Sequence, residues 1–307
     1  MKHISIVTLD QIAEWLRNDQ LFFLIGAGFS SSATEPSVGT GKQVAEFLIN
    51  SIDSELKEVD QGKIKLKLHD LVQSGDSTKV DEIVAYINEV IYKEGITLKQ
   101  ISDRYILSKG EHDYKAKLKD YFFQREKLIL PTHKKMASII NKHKSRVRAP
   151  FIVSLNIDRL IERAYSIETQ GQDLLDSFIG GLGKKNYSLL DHSVLWKFHG
   201  CISDIDSVVF NTFSYYKIKE EQEEGLYKLK QLFKTKHCIL LGVSLQDDHI
   251  RDLIFNLYED RGMPQGVMVS PQQYINTDFM NYMNSYMSLA HYESEISDFL
   301  EQLNIMT

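Results

Sequence analysis

The sequence predicts an α/β protein: a Rossmann-like, mostly parallel sheet flanked by helices, with an inserted all-helical subdomain. Short, continuous apolar runs recur at Leu21–Ile25, Phe151–Val153, Val194–Trp196, Ser207–Phe210, Cys238–Leu241 and Val267–Val269. Such runs are the mark of strands buried on both faces, as in parallel sheets. Helical patterns separate most of them. Between about 44 and 147 the pattern changes to long amphipathic stretches such as Val80–Ile91, with apolar residues three or four apart. Strand-like runs resume only near residue 150. The reading is therefore a discontinuous domain over residues 1–50 and 148–307, split by a helical insertion over 51–147.

Composition narrows the class. The chain has 307 residues with 43% hydrophobic and 25% charged content, long enough for one elaborated domain or two modest ones. Five prolines and 17 glycines are too few for collagen-like or low-complexity order. No uncharged apolar run approaches the roughly 18 residues that span a bilayer. The start, Met1-Lys-His-Ile-Ser-Ile6, lacks the apolar core and cleavage site of a secretory signal, so a cytoplasmic location is expected. Cys201 and Cys238 cannot build a four-thiolate zinc site, and neither sits in a Cys-x-x-Cys pair. A formal charge of −6, from 36 basic and 42 acidic side chains, exerts no overall pull on nucleic acid. The strongest basic cluster, Lys142, Lys144, Arg146 and Arg148, reads as the solvated end of a helix whose dipole favours cations. No internal repeat of 20 to 50 residues is present, which excludes solenoids and propellers.

Along the chain, Thr8-Leu-Asp-Gln11 has the pattern of a capping box, and Ile12, Trp15 and Leu16 after it share one helical face. Asn18-Asp-Gln20 ends that helix and the Leu21 strand follows. Gly26-Ala27-Gly28-Phe29-Ser30 comes directly after the strand, with a new helix expected around Gly41 to Leu48. A glycine turn between strand and helix lets a backbone approach an anion closely and point amides at phosphate oxygens. Ser31 stands where a dinucleotide fingerprint has its third glycine, which disfavours an ordinary hydride-transfer enzyme. In the insertion, Tyr86, Tyr92, Tyr105 and Tyr114 read as packing and solvated surface.

Three further segments place polar residues at strand ends, the edge where open α/β sheets bind ligands. Ser154-Leu-Asn156-Ile-Asp158 closes the Phe151 strand. Asn156 carries both a donor and an acceptor, suited to holding a ribose hydroxyl or a water, while Asp158 fits either a helix cap or the site. Lys197-Phe-His199-Gly200 closes the Val194 strand, and an imidazole there has the neutral-range pKa of a general base. Leu241-Gly242-Val-Ser244 ends the Cys238 strand, where Ser244 suits a phosphate or ribose, and Asp247 or Asp248 fits the cap of the helix that follows.

Taken in order, Gly26-Ala-Gly28-Phe-Ser30, Ser154-Leu-Asn156-Ile-Asp158, Phe198-His199-Gly200 and Gly242-Val-Ser244 resemble the sirtuin family of NAD-consuming proteins. The resemblance implies NAD bound in an extended pose, with Gly26, Ala27, Gly28 and Ser30 near the phosphates and Gly242 and Ser244 on the adenosine side. It further implies Asn156 and Asp158 at the nicotinamide and ribose pocket, and His199 as the base. The four-cysteine zinc module of the protein-deacylase branch is missing, Leu155 replaces a glutamine and Ser154 a threonine. What remains is similar to the sirtuin-like NAD hydrolases of prokaryotic anti-phage defence. That likeness implies an NAD glycohydrolase that answers to a partner such as a hexameric ATPase or an Argonaute-like sensor; its chemistry requires no metal, and homo-oligomerisation through the helical insertion is a further expectation. An NAD-dependent protein deacylase and a non-enzymatic NAD or ADP-ribose binding module are the alternatives.

Overall fold

The computed structural model describes residues 7–32, 37–41, 43–51, 98–144, 149–183, 185–221, 223–243, 266–271 and 289–307. The run Val80–Ile91, with Tyr86 and Tyr92, and Arg146, Arg148, Ser244, Asp247 and Asp248 lie outside the described residues.

Among the described residues, seven strands form one sheet in the order β3-β4-β2-β1-β5-β6-β7, and every neighbouring pair is parallel. The strands are β1 (Leu21–Ile25), β2 (Phe151–Ser154), β3 (Ser177–Ile179), β4 (Leu195–Lys197), β5 (His237–Leu241), β6 (Gly266–Ser270) and β7 (Leu289–Glu293). Alternate residues face opposite sides of a strand, so a strand covered on both faces must be apolar throughout. Phe23, Ile25, Ile152, Ile239 and Leu241 join one core with Ile12 and Leu16 of α1 (Leu9–Arg17). Phe22, Leu24, Val153, Trp196 and Leu240 join the other. The first core is completed by α5 (Pro131–Lys144), α6 (Leu160–Glu168) and α9 (Ile296–Met306), the second by α7 (Thr212–Glu221) and α8 (Glu223–Thr235). The capping box at Thr8 is present in full: its hydroxyl accepts from Gln11 N, and the Gln11 side chain accepts from Thr8 N.

The chain divides into two compact units. One comprises Met1–Thr40, Phe122–Val209 and Ser214–Thr307, and the other Gly41–Tyr121 with Phe210–Phe213. The second holds the helix α2 over residues 43–51, α3 (Leu98–Lys109) and most of α4 (Glu111–Arg125). Within it Tyr105 and Tyr114 are buried and hydrogen-bonded, Tyr105 donating to Asp113 at 2.6 Å and Tyr114 to Ser102 at 2.9 Å. These divisions fall at 40/41 and 121/122 where the sequence suggested 50/51 and 147/148. The reason is α5: its Met136, Ala137, Ile139 and Ile140 are wholly buried in the first core of the sheet. Lys142 and Lys144 near its end are engaged, Lys142 with the Asn304 carbonyl at 2.6 Å and Lys144 with Asp173 at 2.9 Å.

One strand expectation is corrected. Ser207–Phe210 is not a strand: Ile205–Ser207 is a short 3-10 turn, and Val208 and Val209 are apolar because they are buried. Two strands went unread, β3 and β7, which stand at the ends of the sheet's strand order and are only partly buried. Among the described residues no helix is long and apolar enough to cross a membrane.

Ile239, wholly buried in the middle of β5, sets a stability test. Ile239→Ala is expected to cost about 2–5 kcal/mol from lost burial plus the cavity left behind, read as a lowered urea midpoint with an unchanged slope.

Candidate functional site

The carboxyl ends of β1, β2, β4 and β5 are adjacent, and backbone bonds tie the loops leaving them. Leu155 N donates to Ile25 O and Phe198 N to Ser154 O, each at 2.8 Å, and Ile202 N donates to Ile157 O at 2.9 Å. From β1 the chain runs to β2, β3 and β4 on one side, then returns to β5 on the other, so the switch point of the sheet lies between β1 and β5. Ligands of open α/β sheets bind outside the carboxyl ends at this point.

Three glycines meet there with no side chain between them. Gly26 N donates to Leu241 O at 3.0 Å and Gly28 N to Gly242 O at 2.9 Å. A Cβ on Gly26 would stand 2.6 Å from Gly242 O, and one on Gly28 2.9 Å from Gly242 Cα. Gly242 has φ +65°, and its Cβ would lie 2.1 Å from Phe29 N. The N–H groups of Gly26, Gly28 and Phe29 are thus spent on protein carbonyls. Ala27 N–H, in the half-exposed part of the turn, donates to no described residue.

Ser30, at the end of the 3-10 turn Ala27–Ser30, is buried and is the centre of a polar network. Its hydroxyl donates to Asp158 Oδ2 at 3.0 Å and accepts from Asn156 Nδ2 at 3.1 Å. His133 Nε2 lies 3.0 Å from the same oxygen. On the other side of that ring, Leu130 N donates to His133 Nδ1 at 3.0 Å. An Nδ1 that accepts leaves the neutral ring's hydrogen on Nε2, so Nε2–H donates to Ser30. One hydrogen and two lone pairs are all that a serine hydroxyl has, and all three are used. Burial holds the His133 pKa down at about 4, against the attraction of Asp158 and with help from Lys197, so the ring is neutral near pH 7.

Asn156 sits half-buried at the strand mouth. Its two amide hydrogens go to Ser30 Oγ and to Gly26 O, each at 3.1 Å, which leaves Oδ1 as its acceptor. Asp158 is buried; besides Ser30 it accepts from Leu160 N at 3.0 Å, capping α6, and its main-chain carbonyl accepts from Lys197 Nζ. Lys197 is 1% exposed and faces Glu162 at 3.9 Å. Burial alone would lower its pKa, but the carboxylates of Glu162 and Asp158 outweigh that and hold the ammonium charged. His199 follows β4 in a turn, buried, its ring edge-on to Tyr215 at 5.6 Å and its carbonyl accepting from Val209 N at 3.0 Å. Gly200, with φ +86°, turns the chain there, and a Cβ on it would meet Ser207 O at 2.3 Å.

The sequence matches the model of the SIR2-like domain over residues 150–303, half of the chain. The chain belongs to the SIR2-like family. That family is one of NAD-using enzymes, and the match covers the strands that carry Asn156, Asp158, His199 and Gly242. A solved structure from "Structural Basis for the Mechanism and Regulation of Sir2 Enzymes" aligns with 98% of this SIR2-like chain and 97% of its own, at 11% identity and a TM-score of 0.44. No curated protein matches the chain.

Of the site residues expected from sequence, Gly26, Gly28, Ser30, Asn156, Asp158 and Gly242 are brought into one bonded cluster, with His199 on the adjoining loop. Ala27 N–H has no acceptor among the described residues, and Ser244 lies outside them. The amides of Gly26 and Gly28 bond to protein carbonyls, and the Ser30 hydroxyl is saturated by Asn156, Asp158 and His133. His133 and Lys197 were not read as site residues. His133 is a lone histidine two residues after Pro131, and its partner Ser30 is 103 positions away, so no spacing signal exists. Lys197 stood beside His199 in a motif read for its imidazole.

Gly242→Ala is expected to lower the thermal unfolding midpoint far more than Gly110→Ala. At Gly110, φ is +89° but nothing lies within 4 Å of the Cβ, so strain of about 1–2 kcal/mol acts alone. At Gly242 a backbone clash adds to it. For His133, the folded pKa of about 4 lies below the ordinary 6.5, so between these values the unfolded chain binds a proton the folded chain refuses. Its contribution is complete above about pH 6.5 and is lost as pH falls through about 4, to a total on the order of 3 kcal/mol. Urea midpoints between pH 7 and 4 are expected to fall less steeply in His133→Gln than in the unaltered protein.

Proposed function

We propose that this chain hydrolyses the bond between nicotinamide and ribose in NAD, giving nicotinamide and ADP-ribose. The observation that carries the reading is Asn156: both its amide hydrogens are committed to protein, so its Oδ1 is held as an acceptor at the sheet's carboxyl edge. The fit of NAD is supported by the switch point between β1 and β5 and by the Ala27 N–H, which has no acceptor among the described residues and suits a diphosphate oxygen.

In this mechanism the C1′–N bond breaks with its electron pair leaving on nicotinamide, which departs neutral from an oxocarbenium-like ribose. Water forms the new C1′–O bond and loses one proton. Asn156 Oδ1 accepts a hydrogen bond from that water or from a ribose hydroxyl, aiming an oxygen lone pair at the sugar. His199 takes the proton directly or through a ribose hydroxyl. Asp158 acts through Ser30 and the α6 terminus, and Lys197 balances its charge from below. The chemistry draws on no metal. The proposal extends, on the resemblance of the four strand-end motifs, to a cytoplasmic effector of prokaryotic anti-phage defence. It would act as a homo-oligomer released by a protein partner, such as a hexameric ATPase or Argonaute-like sensor.

NAD incubated with the purified protein and with the products of neighbouring genes, followed by chromatography, tests the reading. Nicotinamide and ADP-ribose are expected in equal amounts, and Asn156→Ala and His199→Ala are each expected to slow NAD loss by about 10²-fold or more while the fold survives. Undiminished turnover in both variants removes the site assignment. Acyl-ADP-ribose formed only with an acylated peptide replaces hydrolysis by deacylation.

A further inference from the structure

The bond that orients Asn156 depends on a residue far from the strand-end motifs. One Asn156 hydrogen goes to Gly26 O, a main-chain atom fixed by the strand-end packing. The other goes to Ser30 Oγ, which a rotation about its Cα–Cβ bond would carry away. His133 opposes that rotation. Its ring is wholly buried, edge-on to Phe29 at 5.3 Å, and stands at the start of α5. Its Nδ1 reaches back to Leu130 N–H, as a glutamate does in a capping box. With the tautomer so fixed, Nε2 cannot accept the serine hydrogen. That hydrogen must go to Asp158, and the two lone pairs are left for His133 and Asn156. Removing the ring opens a space beside Ser30 and leaves a buried lone pair unmatched, and both effects favour a rotated hydroxyl.

We propose that His133 is a positioning residue: through Ser30 it holds the Asn156 amide so that Oδ1 is presented to the attacking water or the ribose hydroxyl. The function of that presentation rests on the NAD-hydrolase reading; the presentation itself does not. His133 touches neither the sugar nor the water in this scheme. Its replacement therefore shifts catalysis through the geometry of Asn156, and misplacement of such a group costs up to about 10²-fold in rate.

The test compares the unaltered protein with His133→Leu, His133→Gln and Ser30→Ala, using two readouts. The first is hydrogen exchange of the Asn156 side-chain NH2, followed by NMR and assigned by its disappearance in Asn156→Asp. Protection is expected to fall by about 10-fold or more in His133→Leu and Ser30→Ala, and to persist in His133→Gln, whose amide can donate to Ser30. The second is NAD hydrolysis by the activated protein. His133→Leu is expected to lower kcat by about 10 to 10²-fold with KM changed by less than about threefold, and His133→Gln to recover most of the loss. Protection unchanged in His133→Leu overturns the proposal whatever the activity. So does parallel loss in the Leu and Gln variants, which marks a packing role. If His133→Leu does not fold, unchanged protection in Ser30→Ala overturns it equally. Protection lost in His133→Leu and kept in His133→Gln, in a protein that leaves NAD intact, upholds the positioning and removes the hydrolase reading instead.

Discussion

A single buried hydroxyl, that of Ser30, holds the candidate site in register. It links three pieces of chain that are remote in sequence: the turn after β1, the N-terminus of α5, and the segment that runs from β2 into α6. Because every valence of the oxygen is used, no partner can shift without stranding a buried polar atom, which costs about 1–3 kcal/mol. Networks of this kind rigidify when fully satisfied and fail when one member is lost. The Asn156 carbonyl oxygen inherits its orientation from that closure.

The sheet explains why such remote pieces converge. Two hydrophobic layers clamp it, one under α1, α5, α6 and α9 and the other under α7 and α8, and parallel pairing holds β1 in register with β2 and β5, Ile25 opposite both Ser154 and Leu241. Fixed register fixes the carboxyl ends, and short backbone bonds then hold the loops side by side. Beneath them, Lys197, Glu162 and Asp158 place three ionisable groups out of water. Such burial costs several kcal/mol per ion unless the partners are close, and here the main-chain carbonyl of Asp158 supplies the lysine's direct bond.

Much of this is legible in the sequence. β1, β2 and β5 announced themselves because both faces are buried, and the capping box at Thr8 needs only residues three apart. Asn156, His199 and Gly242 fell at strand ends for the same reason. Other features depend on contacts that no local pattern encodes. β3 and β7 are partly exposed and lose the continuous apolar signature. Val208 and Val209 carry that signature without pairing, since burial alone makes it. In sequence α5 reads as part of the insertion, because amphipathic periodicity says which side of a helix is covered, not by what. The close packing of the glycine turn on Gly242 is invisible in sequence, since glycines that admit a ligand and glycines that admit another strand's backbone look identical in one dimension.

Gly26, Gly28 and Gly242 carry a consequence of their own. Each leaves room for the main chain of another, so a side chain introduced at any one would force the ends of β1 and β5 apart. The three positions therefore behave as a single inherited unit: no one of them can drift by itself, and redesign of the crevice would have to rebuild the tips of both strands in one step.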